Sequence, residues 1–149
     1  RASPDWAYPR CAEEVSRGAR LIGAYVDTSF VVSLTLREPG WGKLSETTAR
    51  FETFHASELL VAEFLATLKR QRIDIALATG PLSTIAWVVP TRSIRPEIDR
   101  VLEHGALRGA DLWHLACALY LSPTPKSLPF LTRDSEQRGV AKRIGFPVP

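Results

Sequence analysis

Between Leu21 and Val26 the chain reads LIGAYV, a short and nearly unbroken apolar run that stops at Asp27. A run of this kind fits a strand buried on both faces, the usual state of strands in a parallel sheet covered by helices. The rest of the chain repeats the theme. Asp27, Thr28 and Ser29 end the first run, and FVVSLTL continues as a short helix that either hydroxyl can cap. Residues 38–45 (EPGWGKLS) read as a loop on their Pro and Gly content. Residues 50–56 (RFETFHA) alternate as a second strand, and Ser57 caps a helix over 58–72. A break at Gly80-Pro81 leads to a strand at 85–89 (IAWVV). Pro96 suits the first turn of a helix that runs to His104, with Gly105 just past its end. Helices over 109–121 and 135–144, the second closed by Gly145, flank an SPTPKS turn and a last strand at 128–132 (LPFLT). Four strands alternating with helices predict an α/β fold, a three-layer α/β/α sandwich around a central parallel sheet.

The 149 residues, 45% of them hydrophobic, suffice for one packed domain and exclude wholesale disorder. That domain is expected over 21–149, behind an irregular extension at 1–20 with no apolar periodicity. No apolar run reaches the roughly 18–20 residues of a membrane span. The first segment also lacks the apolar core of a signal peptide. Cys11 and Cys117 lie too far apart for a disulfide framework or a zinc cluster, and Cys117 reads as a small buried hydrophobe. A reducing, cytoplasmic setting is expected. The net charge of +3, with 15 arginines to 4 lysines, fits a nucleic-acid partner without demonstrating one.

Acidic residues carry the chemical signal. Asp27 follows the first strand and Asp134 the last, and open α/β sheets bind ligands outside the carboxyl ends of their strands. Each Asp also has a plain alternative role, capping the helix that follows. Glu63 sits inside LLVAEFLATL, where a buried carboxylate is costly unless it is paired, for instance with an Arg, or bound to a metal. Asp111 is one of few polar residues in ADLWHLACALYL, near enough to the helix start for the macrodipole to explain it. Converging carboxylates repel one another unless a cation neutralises them, and an all-oxygen set suits Mg²⁺ or Mn²⁺. Such an ion activates water and stabilises charge on phosphate, so phosphodiester hydrolysis is the chemistry that follows.

YVDTSF, SELLVAEFLATL, the ADLWHLACAL helix and FLTRD with VAKRIGF, in that order across 21–149, together resemble the PIN-domain ribonucleases. They look most like the VapC-type toxins of VapBC toxin–antitoxin pairs. The resemblance implies a metal-dependent endoribonuclease on a PIN-like sandwich, often a homodimer, acting on RNA and inhibited by a small antitoxin. It places Asp27, Glu63, Asp111 and Asp134 on the acidic positions of the site, and Ser29 and Thr132 on hydroxyl positions beside them. Leu112-Trp113 depart from the Ala that often follows the third acid. An RNA-processing PIN nuclease without an antitoxin, and a non-catalytic RNA- or protein-binding module, are the alternatives.

Arg133, Arg108 and Arg138 are candidate RNA contacts near the acidic edge, while Lys142 and Arg143 read equally well as a solvated basic face. Glu58 competes with Glu63 as the second acid, but its place in the first turn is explained by the helix dipole. His114, one turn after Asp111, reads as structural, since a metal-activated water needs no histidine base. His55 and His104 have no partner pattern. Trp41 marks an apolar loop tip suited to a partner surface. Neither a nucleophile elbow nor a Gly-rich phosphate loop is present.

Overall fold

The computed structural model describes residues 23–149, so the expected extension over 1–20 and the start of the expected first strand lie outside the described residues. The elements in chain order are β1 (Gly23–Val26), α1 (Thr28–Thr35), α2 (Trp41–Thr48), β2 (Thr53–Ser57), α3 (Leu59–Arg70) and α4 (Ile75–Ala78). They continue with β3 (Ile85–Val88), α5 (Arg95–Leu102), α6 (Gly109–Leu121), β4 (Phe130–Leu131) and α7 (Ser135–Ile144). The strands form one parallel sheet in the order β3-β2-β1-β4.

Strand side chains alternate between faces, and the core divides accordingly. Ala24, Val26, Ala56, Ile85 and Leu131 pack with Phe30 and Val31 of α1 and Leu60, Phe64 and Leu68 of α3. Tyr25, Val88 and Phe130 face the other way, onto Val101 of α5, Leu115 and Leu119 of α6 and Val140 and Ile144 of α7. Helices therefore cover both faces, and the fold is the expected α/β/α sandwich. Cys117 is fully buried in the second cluster, and burial pushes its thiol up to about 12. Among the described residues no helix is long and apolar enough to cross a membrane.

Several local expectations are corrected. The Pro/Gly-rich stretch is a loop only as far as Gly40, whose φ of 90° turns the chain into α2. No residue of α2 is buried, so it has no apolar stripe to betray it in the sequence. Helix α4 has no counterpart among the expected elements, because a single turn is too short to show periodicity. Neither Thr28 nor Ser29 caps α1; the Asp27 carboxylate does, accepting from the Phe30 N–H at 3.1 Å. Ser57 is not the cap of α3, which begins after Glu58 without any side-chain cap. The last strand shrinks to Phe130–Leu131, and α3 is not buried all round but through Leu60, Phe64 and Leu68 alone. Helices α6 and α7 keep their expected bounds, and Gly145 at φ 110° closes α7, with its own N–H and that of Phe146 both donating to Ala141 O.

Gly23 opens β1 beside the buried His55, whose Nε2 would lie 2.9 Å from an added Cβ. Gly23→Ala is expected to cost about 1–3 kcal/mol through overpacking. Urea unfolding of the purified variant measures it, and an unchanged midpoint would show that the imidazole moves aside freely.

Candidate active site

Strand order positions the site. The chain winds outward from β1 through β2 to β3, then returns to place β4 on the other side of β1. The carboxyl ends of β1 and β4 thus form a topological switch point, where open α/β sheets bind ligands. Asp27 leaves β1 there and Asp134 leaves the β4 end, while Glu63 comes from α3 and Asp111 from the first turn of α6. These four acids line one open cleft of about 790 Å³, together with Thr28, Ser29, Glu38, Arg70, His114 and Arg133.

Asp27 is the most enclosed of the acids, 3% exposed. Burial pushes its carboxyl up to about 6, against opposing hydrogen bonds from the Phe30 N–H and the Ser29 hydroxyl. Asp134 caps α7, accepting from the Gln137 N–H at 2.7 Å. Both strand-end aspartates therefore perform the plain capping role and face the cleft at once. The carboxyl of Asp111 is raised, first by burial and then by the charges of Asp134 and Glu63. Glu63 is lowered, chiefly by a 2.9 Å bond with His114 Nε2 and further by the Thr28 hydroxyl. The partner of Glu63 is thus a histidine and not the arginine considered from the sequence.

Hydroxyls and one amide tie these acids together. Ser29 Oγ donates to the Asp27 carboxylate at 2.9 Å and accepts from the Arg133 N–H at 2.8 Å. Thr132 Oγ1 accepts from the Asp134 N–H and donates to Gln137 Oε1. Gln137, fully buried, in turn donates to the backbone oxygen of Asp111 at 3.2 Å. The basic residues separate. Arg133 lines the cleft and braces the loop before α2 through a 3.3 Å bond to Pro39 O. Arg108 lines a neighbouring cavity of about 580 Å³ with Arg143, and Arg138 donates to Pro149 O. Glu58 is exposed and does not line the cleft. Glu38, Arg70 and Gln137 have no place among the sequence expectations, while Thr28 and His114 are expected there only as a candidate helix cap and a structural histidine. Of these only His114 carried a legible signal, its i, i+3 spacing from Asp111 on one helix face.

The model of the PIN domain matches residues 24–143. The chain belongs to the PIN-domain family. No curated protein matches it. Membership points to a nuclease, a class whose members generally depend on a divalent metal.

The donor set of this PIN domain fits such an ion by its chemistry. Carboxylate and hydroxyl oxygens suit a hard divalent cation, and the raised carboxyls of Asp27 and Asp111 are what a nearby positive charge would reverse. As they stand, no three His, Cys, Asp or Glu side chains among the described residues are close enough to hold a metal ion together.

Proposed function

We propose that this PIN domain is a Mg²⁺- or Mn²⁺-dependent endoribonuclease, the toxin of a toxin–antitoxin pair. The observation that carries the reading is the convergence of Asp27, Glu63, Asp111 and Asp134 on one cleft at the sheet's switch point, one of them buried with a raised carboxyl. These four would hold the metal. When bound, it supplies a water activated for attack and positive charge against the scissile phosphate. Ser29 and Gln137 keep the donors in place, Ser29 by hydrogen bonding to Asp27 and Gln137 through Thr132 and the Asp111 backbone. Arg133 and Arg70 line the same cleft and offer guanidinium groups to flanking phosphates, with Arg108 on the adjacent cavity. Without that positive charge, five acids in the cleft (Glu38 included) would repel an RNA backbone.

The purified chain is expected to cleave RNA in Mn²⁺ or Mg²⁺ and to stop in EDTA. Cleavage indifferent to EDTA would sink the metal requirement, and no cleavage of any of several RNAs would leave a binding module. The toxin role is supported by exposed apolar side chains at Trp41, Leu102 and Trp113, surface suited to an antitoxin or a second copy. Expression of the chain alone is expected to arrest growth. A cleaving enzyme that leaves growth unaffected would be an RNA-processing nuclease instead.

A further inference from the structure

We propose that His114 is a positioning residue for Glu63, locked by Tyr25 into the tautomer whose Nε2–H donates to the carboxylate. The inference rests on the reading of Glu63 as a cation ligand and adds the device that aims it.

The hydrogen-bond chain begins at a donor whose direction is not in doubt. The Ser57 backbone N–H donates to the Tyr25 hydroxyl oxygen at 3.0 Å. Tyr25 is fully buried on β1, so its own hydroxyl hydrogen needs an acceptor inside the protein. It meets His114 Nδ1 at 3.2 Å, with the two rings edge to face at 6.1 Å. An Nδ1 that accepts leaves the imidazole proton on Nε2. That nitrogen lies 2.9 Å from Glu63 Oε2.

Two protein donors then fall on one carboxylate oxygen. Thr28 Oγ1 donates to the same Oε2 at 2.5 Å, while Oε1 receives no bond from the described residues. Glu63 is therefore held by one oxygen and free at the other, which suits a monodentate ligand to a cation in the cleft. The ring itself has little freedom, being 1% exposed and also 3.4 Å from Ser57 Oγ. Helix α6 thus serves the site twice: Asp111 lines the cleft directly, and His114, one turn on, steadies an acid belonging to α3. Outer groups of this kind typically alter metal affinity or activity about 10- to 100-fold when removed.

Long-range ¹H–¹⁵N spectra of the histidine rings in the whole chain test the tautomer without any metal. The expected result is His114 protonated on Nε2 alone, with that preference weakened in Tyr25→Phe. A ring protonated on Nδ1 alone, or on both nitrogens, overturns the proposal. Mn²⁺ titration by calorimetry tests the consequence. His114→Leu is expected to weaken Mn²⁺ binding about 10- to 100-fold, and His114→Gln, whose amide can still donate to Glu63, to recover most of it. Equal loss in both variants would mark His114 as packing only and overturn the proposal. If the leucine variant does not fold, Tyr25→Phe, which deletes one oxygen, carries the same titration. Wild-type Mn²⁺ affinity in Tyr25→Phe with an unaltered tautomer then counts against the relay. Glu63→Gln separates the two readings: wild-type Mn²⁺ affinity in that variant removes Glu63 as a ligand, while the tautomer result stands by itself.

Discussion

Asp27→Asn is expected to lower RNA cleavage by about 10²-fold or more while making the metal-free fold more stable at neutral pH. The loss follows from removing a charged oxygen from the proposed cation site, where the metal contributes several kcal/mol to the transition state. The gain follows from burial. The Asp27 carboxyl is raised from 3.8 to about 6, so the folded state binds a proton more tightly than the unfolded state does. Stability from this group is greatest below about pH 3.8 and is lost as pH rises through 6, leaving the full penalty at pH 7. At about 1.4 kcal/mol for each pH unit, relief of that penalty is on the order of 1–3 kcal/mol. Asparagine keeps an oxygen to cap α1 through the Phe30 N–H, so the helix start survives. Urea unfolding in EDTA, at pH 4 and pH 7, checks the sign. The variant should gain on wild type at pH 7 and much less at pH 4. Equal destabilisation at both values would show that the carboxylate serves the fold more than the site.

Phe64→Ala, one residue past Glu63, is expected to destabilise the protein by about 3–5 kcal/mol. Phe64 is fully buried in the core cluster that also holds Ala24, Val26 and Ala56 of the sheet and Leu60 of its own helix. Truncation removes apolar contact and leaves a cavity that neighbouring strands cannot close. A fall in the urea midpoint at unchanged slope measures the loss. A cost under about 1 kcal/mol would mean that α3 is not anchored through this face. Neighbours in sequence thus have opposite duties: Phe64 fastens α3 to the sheet, and Glu63 lines the cleft from the same helix.

Much of the fold was legible because its signals are local. The apolar run into β1 and the helices over 109–121 and 135–144 depend on spacing within a few residues, and the structure keeps them. The roles of Asp27 and Asp134 were half legible. Capping and cleft-lining looked like competing explanations, yet a carboxylate has two oxygens and can do both: one oxygen of each accepts a helix N–H while the side chain still borders the cleft. What stayed hidden either lacked a pattern or lay far away in the chain. Helix α2 has no fully buried residue, and Ser57 turns its hydroxyl toward His114, at 3.4 Å, while α3 starts without a side-chain cap. The pairing of Glu63 with His114 joins residues 51 positions apart, which no helical or strand period connects.

By itself the sequence determined the four strands and the longer amphipathic or buried helices, though not α2 or α4, and which acids stand at the carboxyl ends of strands. Those properties follow from each segment's own apolar periodicity and end residues. Only the tertiary structure decided that β4 pairs with β1, which brings Ser29 within 3.4 Å of Thr132 across 103 residues and sets Asp27 and Asp134 on one cleft. A buried parallel strand reads much the same whichever neighbour it takes, because its apolar faces do not name the partner edge. Pairing is settled by how the crossover helices pack on both sides of the sheet. The same packing makes His114, an ordinary buried histidine in the sequence, the group that steadies Glu63.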